Sequence, residues 1–489
     1  MTTTARTRTI PDTTTAGKRS RARRPLPARI GSWWRRGWYR TGRGAGMRRL
    51  VRLLGWQHPA AGGTFGSSRQ MAALSPLLAA SDPPVNGHPL GVDLLTNQAV
   101  RESVRGLYRA GFVNSPNECV IGAVGTAKST YVKLSLLRSI TVGGRGVVFD
   151  RKRQQTTPAD GASSGTGGEY AKLSAAVGGS RIGFHQDRRY GTRINILDPS
   201  ISKVTGAGED SMLGQDRLLI MVAEAALGAV LTPQQRWALL QAHTTATRTA
   251  TSEGRVPVLA DVLHALQHPG ETDLAGVDTA RVREWGLDVV LALSRYTDGG
   301  DLSGLIDGPT AGPGGAPVDL DAPLLVFDTS ALEYGSTALG VIMAVTVAFL
   351  MSAWINVPGA KSVVIEETYS ADGIGVIPAM FRDLAKRSRG VGASMISVFH
   401  HLSDVPPDSP LRSLITESEV VCVFRQDKSE DADQVMRLLS FDDSIRELVM
   451  TLPRGVHIRK RGAKLPVLVV EATRTSLERD LTFTDDALL

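Results

Sequence analysis

The apolar residues fall into short unbroken runs separated by longer segments with helical spacing, and this alternation predicts an α/β protein. Residues 119 to 124 form a short apolar run that closes on a Gly-rich turn. The stretch from Ser129 to Ile140 then places Tyr131, Val132, Leu134, Leu136 and Leu137 on one helical face. Gly143 and Gly144 end it, and Arg145 to Asp150 is the next strand. Strand, loop, helix, strand is the unit from which parallel sheets are built. Further strands are expected at residues 324 to 328, 361 to 367, 393 to 399 and 420 to 424. A helix is expected over Ile377 to Ser388, with Phe381, Leu384 and Ala385 inward. Residues 212 to about 300 read as helical: Leu218 to Leu231 is strongly apolar, and Thr232-Pro233 starts a new helix. Residues 154 to 168 read as a flexible insertion, and the Gly/Pro loop 308 to 316 leads back to the sheet.

Ala338 to Trp354 is seventeen residues without a charge. It falls short of a comfortable membrane span, it contains Thr346 and Ser352, and strand-like runs flank it. A core helix packed on a parallel sheet is the better reading. The 489 residues, with 42% apolar and 21% charged content, support a large buried core and exclude wholesale disorder. The two cysteines, Cys119 and Cys422, sit in apolar runs; they exclude a disulfide framework and fit buried thiols in a reducing cytoplasm.

The net charge of +8 is unevenly spread. Residues 1 to 60 hold fifteen Arg or Lys and one acid, Asp12, for +14, which leaves −6 on the rest. The first thirty or so residues, rich in Thr, Arg and Pro, read as disordered, and no apolar stretch follows to make a secretory signal. Further on, Trp33, Trp34, Trp38 and Trp56 interleave with Arg35, Arg36, Arg40 and Arg52. That pattern suits an anionic membrane surface, a nucleic-acid backbone or a docking partner. The expected organisation is a basic arm (1–60), the first part of a nucleotide-binding core (61–211), an inserted helical subdomain (212–305) and the second part of the core (306–489).

The turn after the first strand carries the chemistry. Gly122, Lys128 and Ser129 meet the pattern G-x-x-x-x-G-K-[ST], with Ala127 where the second glycine belongs. Such a loop aims backbone N–H groups at nucleotide phosphates from a helix N-terminus. Gly122, Gly125 and Thr126 would shape the cradle, Lys128 would reach the β- and γ-phosphates, and Ser129, beside Thr130, would ligate Mg²⁺. If position 127 needs a positive φ, its Cβ costs about 1–2 kcal/mol. A hydrolysing site also needs acids at a strand end. Lys361 to Glu367 supplies them, Glu366 for Mg²⁺ and Glu367 for the attacking water. Arg387 and Arg389, at a helix end, are candidates to reach a neighbouring subunit's γ-phosphate. His400, ending a strand, can sense that phosphate. His400 and His401 face opposite sides and do not make a metal pair.

The order of these segments resembles a known family. L-Y-R-A-G-F-V-N-S-P-N (107 to 117) leads into the loop; V-V-F-D-R-K (147 to 152), G-E-Y-A-K-L (168 to 173) and R-I-N-I-L-D-P (193 to 199) follow. The acid-ended strand, K-R-S-R-G-V-G, F-H-H-L-S-D (399 to 404), F-R-Q (424 to 426) and L-P-R-G (452 to 455) complete the series. Over residues 70 to 485 the chain resembles the motor domain of the conjugative-transfer ATPases of type IV secretion systems, in the HerA/FtsK branch of the RecA-like fold. It is similar above all to those of actinobacterial integrative elements. The resemblance implies a RecA-like P-loop NTPase core with a mostly parallel sheet and an inserted helical subdomain. It implies ATP and Mg²⁺ as cofactors, a homo-oligomeric, usually hexameric, ring, and a place at the cytoplasmic face of a transfer channel among other secretion components. Three residues depart from the family pattern: Ala127 for Gly, Glu366 for Asp and Arg151 for Pro. The reading is therefore an ATP-binding, ATP-hydrolysing motor subunit of a conjugative DNA-transfer apparatus, cytoplasmic and peripheral at the membrane. Two alternatives stay open: a nucleotide-binding scaffold with a degenerate site in the same apparatus, and a DNA translocase of the same fold.

Overall fold

The computed structural model describes residues 86–155, 166–185, 189–199, 211–271, 276–297, 299–333, 335–352, 354, 357–366, 377–406, 408–441 and 443–483. The basic arm expected at 1–60, residues 156–165 of the expected insertion, and Glu367 lie outside the described residues. The chain opens with β1 (His88–Asp93), β2 (Gln98–Glu102), α1 (Val104–Arg109), β3 (Glu118–Ile121), α2 (Lys128–Thr141) and β4 (Arg145–Asp150). It continues through β5 (Arg153–Gln155), β6 (Thr166–Gly168), α3 (Ala171–Ala176) and β7 (Ser180–Gly183). The helices α4 (Ser211–Leu227), α5 (Pro233–Ser252), α6 (Leu259–Gln267) and α7 (Thr279–Ser294) come next, then β8 (Leu324–Asp328), α8 (Thr337–Ser352), β9 (Lys361–Ile365), α9 (Ile377–Val391) and β10 (Ala393–Phe399). The remainder is α10 (Arg412–Thr416), β11 (Val420–Val423), α11 (Ser429–Leu439), α12 (Asp443–Thr451), β12 (Val456–Arg461), β13 (Leu468–Glu471) and α13 (Ser476–Leu481).

One sheet of eleven strands, ordered β2-β1-β13-β12-β11-β3-β10-β9-β4-β8-β7, organises these elements. From β11 to β7 every pairing is parallel; β12, β13, β1 and β2 extend the sheet antiparallel. The parallel strands are apolar on both faces because helices cover both. In β4, Val147 and Phe149 join one core cluster and Val148 the other; in β8, Leu325 and Phe327 oppose Leu324 and Val326. The larger core holds residues of α4 to α9, while α2 and α3 contribute to the second. The helices α4 to α7 occupy the chain between β7 and β8, although those two strands pair directly. They are thus inserted into the sheet's connectivity. At the start of α5, Thr232 accepts from the Gln235 amide and Gln235 reaches back to the Thr232 amide, with Pro233 in the first turn.

The apolar stretch at 338 to 354 forms α8 and packs against α4. Its residues from Leu339 to Val347 are buried on every side, which explains why its apolar run has no polar stripe. No helix of the described residues is long and apolar enough to cross a membrane. Two local expectations shift. The strand before the Gly-rich loop, β3, stops at Ile121 and leaves Gly122 to Val124 to the loop. The ends of the expected flexible insertion pair as the antiparallel β5–β6 hairpin, Arg153 opposite Gly168 and Gln155 opposite Thr166.

Candidate nucleotide site

The loop between β3 and α2 is fastened from beneath. Gly122 donates to the Phe399 carbonyl at 3.3 Å and Ala123 to that of Arg425 at 2.9 Å, tying the loop to the ends of β10 and β11. Gly122 must be glycine, since a Cβ there would stand 2.5 Å from the Phe424 Cβ. The Thr126 hydroxyl donates to the Ala123 carbonyl at 2.8 Å, and the Gly455 amide donates to the Thr126 carbonyl at 3.2 Å. Ala127 has φ 77° and ψ 27°, the left-handed conformation, and no side chain caps the helix that follows. The strain anticipated for a Cβ there is present. The uncapped amides at the start of α2 are the donors that a helix N-terminus offers an anion.

Lys128 is buried and folds back onto its own loop, donating to the carbonyls of Gly122 at 2.5 Å and Ala123 at 2.7 Å. Burial, together with the nearby Lys152 ammonium, lowers its pKa to about 8 against the pull of Glu366 and Asp427. At the second position of the helix, the Ser129 hydroxyl donates to Glu366 Oε2 at 3.3 Å, across 237 residues of sequence. Glu366 follows β9 and is buried; its Oε1 accepts the Tyr170 phenol at 2.6 Å. Burial raises its pKa, opposed by Lys152. Lys152 itself lies 3.4 Å from Ser129 Oγ and 3.7 Å from Glu169, whose other oxygen meets Lys133 at 3.3 Å. The hydroxyl of Ser129 and the carboxylate of Glu366 are hard oxygen donors and fit Mg²⁺. No group of three or more His, Cys, Asp or Glu among the described residues could hold a metal ion.

His400, after β10, feels the charges of Lys128 and Lys152; burial first, then those cations, lower its pKa to about 4. His401, also beyond the end of β10, instead contacts Asp431 at 2.9 Å, so the two histidines meet different neighbours. Arg387 and Arg389 are not brought to this group. Both are exposed near the end of α9, which precedes β10, and Arg389 reaches the Asn114 carbonyl at 3.5 Å, ahead of β3. They lie at the edge where the parallel strands begin, whereas Lys128 and Glu366 lie where they end. Thr130 is buried in the first turn of α2, and Gly125 is exposed with φ 78°.

Four contributors carry no role in the motif reading: Tyr170, Lys152, Glu169 and Asp150. All lie in segments that the family resemblance picks out, V-V-F-D-R-K and G-E-Y-A-K-L, and that signal locates them without assigning a task. Asp150 accepts from the Tyr170 amide at 3.1 Å and the Lys152 amide at 3.2 Å. Burial and the neighbouring Asp328 raise its pKa to about 8.

The other flank of α2 carries a second set of buried charges. Arg459 in β12 donates to Glu102 at 2.5 Å and to Glu118 at 2.8 Å, and Arg461 donates to Glu102 at 3.1 Å. Glu118, in β3, also accepts from the Tyr131 phenol at 2.7 Å and from the Cys422 thiol at 3.1 Å. Burial would raise the Glu118 pKa, but Arg459 and these hydrogen bonds outweigh it and hold it below the ordinary range. Both cysteines are buried and free.

A parallel sheet whose first strand runs into a Gly-rich loop and helix, with the acid-ended β9 one strand away across β10, defines the class: a RecA-like P-loop NTPase fold. No protein-family model and no curated protein sequence matches the chain. Among solved structures, the chain is similar to VirB4 of Thermoanaerobacter pseudethanolicus, with a TM-score of 0.61 and 18% identity over 80% of this chain and 98% of that one. A weaker similarity links it to the plasmid coupling protein TrwB in complex with the non-hydrolysable ATP analogue ADPNP, with a TM-score of 0.47 and 13% identity over 81% and 91% of the two chains. At these identities the likeness is one of fold.

Proposed function

We propose that the chain is an ATP- and Mg²⁺-binding motor subunit of a conjugative DNA-transfer or type IV secretion apparatus, working as a homo-oligomeric ring, hexameric in the resembled family. The observation that carries the nucleotide reading is the convergence of Lys128, the Ser129 hydroxyl and the Glu366 carboxylate at the ends of the parallel strands. The ordered motif series and the fold shared with VirB4 support the conjugation reading. In this account the α2 amides and Lys128 bind phosphate oxygens, with Lys128 leaving the Gly122 and Ala123 carbonyls to do so. Ser129 and Glu366 would hold Mg²⁺, which when bound would supply positive charge to the phosphates. Glu367 orients the attacking water, His400 senses the γ-phosphate, and Arg387 or Arg389 completes a neighbouring subunit's site. The arm at 1–60 contacts DNA or an anionic membrane, other secretion components surround the ring, and the protein works at the cytoplasmic face of the membrane.

A second reading, a nucleotide-binding scaffold with slow or absent turnover, is favoured by the left-handed Ala127 and by the way Lys128 fills the cradle. ATP turnover by the wild type, Lys128→Ala and Ala127→Gly separates the two. The motor reading expects the wild type to exceed Lys128→Ala. Equal rates, with a gain in Ala127→Gly, sink it in favour of the scaffold. A translocase reading additionally requires DNA to stimulate turnover.

A further inference from the structure

Where the resembled family carries Asp, this chain has Glu366, whose side chain has one more rotatable bond to immobilise. The structure supplies a device that immobilises it. Tyr170 is fully buried, and its phenol meets Glu366 Oε1 at 2.6 Å while Oε2 turns toward Ser129. The phenol is held from behind. The Tyr170 amide donates to Asp150 Oδ2 at 3.1 Å and the Gly168 amide to Asp328 Oδ2 at 3.0 Å. A Cβ on Gly168 would stand 2.2 Å from Asp150 Oδ2, so the backbone lies close upon that carboxylate. The Lys133 ammonium covers the ring 5.1 Å from its centre. We propose that Tyr170 is the positioning residue of the nucleotide site: it fixes one oxygen of Glu366 so that the other faces the cation position beside Ser129.

This inference rests on the nucleotide-site reading, and its test keeps the two apart. Full-length wild type, Tyr170→Phe, Glu366→Asp and the double variant are titrated with Mg²⁺ at fixed fluorescent ATP analogue. Binding in EDTA and thermal melting are measured beside them. Loss of a hydrogen bond to a charged group should raise the Mg²⁺ concentration for half-maximal binding about tenfold or more in Tyr170→Phe, with EDTA binding unchanged. Asp draws the carboxylate back by one C–C bond, about 1.5 Å, out of the phenol's reach. Tyr170→Phe should therefore change nothing further in the Glu366→Asp background. An unchanged Mg²⁺ midpoint in Tyr170→Phe overturns the proposal. So does the same shift in both backgrounds, which is what a general loosening of the fold produces. A wild type without Mg²⁺-dependent binding overturns the nucleotide reading, and this proposal with it.

Discussion

The two flanks of α2 bury charge in opposite ways. Toward β12, each carboxylate meets a guanidinium: Arg459 lies between Glu102 and Glu118, and Arg461 adds to Glu102. Toward β4 and β9, Glu169 meets Lys133 and Lys152, but the groups around them are poorly matched. Lys128 uses only carbonyls for hydrogen bonds, Glu366 leans on two hydroxyls, and the pKa values of Lys128, Asp150, Glu366 and His400 all move toward their neutral forms. A matched buried network needs nothing more; a mismatched one is what a site awaiting a charged ligand looks like. The difference separates charge that holds the sheet together from charge held ready for chemistry.

The matched side carries the largest expected effect. Arg459→Met leaves Glu118 and part of Glu102 buried without their guanidinium, and should destabilise the fold by about 3–5 kcal/mol in chemical denaturation. On the mismatched side, Lys128→Ala should lower ATP affinity about 10- to 100-fold in a fluorescence titration, while leaving the denaturation midpoint at or above that of the wild type. If Lys128→Ala destabilises as much as Arg459→Met, the distinction fails.

A pH series sharpens it further. The folded pKa of Lys128 is depressed to about 8 from 10.5. Its charge therefore opposes folding below about pH 8, and that penalty is relieved as pH rises from there toward 10.5. ATP affinity should move the other way and fall through the same window, because the ammonium is what meets the phosphates. The difference between wild type and Lys128→Ala, measured by denaturation and by titration, isolates both trends. The smallest effect belongs to Ala127→Gly. It removes a left-handed Cβ at about 1–2 kcal/mol but adds the chain entropy of glycine at about 0.5–1 kcal/mol. The net gain should lie between about 0 and 1.5 kcal/mol, read as a small rise in melting temperature.

Much of this was legible in the chain. The strands Arg145–Asp150, Leu324–Asp328 and Ala393–Phe399 stand where continuous apolar runs place them, because both faces of a parallel sheet are dry. Lys128, Ser129 and Glu366, which the fold brings together, could be picked out as candidates because a loop motif and an acid-ended strand are local patterns. β12 shows what such patterns hide. Its sequence V-H-I-R-K-R reads as a polar edge, yet His457, Arg459 and Arg461 are buried. Arg459 and Arg461 are offset by Glu102 and Glu118 from distant strands, and His457 stacks on Phe424 at 4.9 Å and lies tilted against Tyr131 at 4.6 Å. Tyr170 was hidden for a related reason. Its task depends on the return of residues 168 to 170 over Asp150 and Asp328, a tertiary event that neither periodicity nor spacing encodes.

A structure of the protein with Mg²⁺ and a non-hydrolysable ATP analogue decides whether the mismatched flank is a nucleotide site. Lys128 Nζ should then leave the Gly122 and Ala123 carbonyls for phosphate oxygens, with Ala127 still left-handed and the cation between Ser129 and Glu366. Lys128 still seated on those carbonyls, with the nucleotide absent or bound elsewhere, would contradict it.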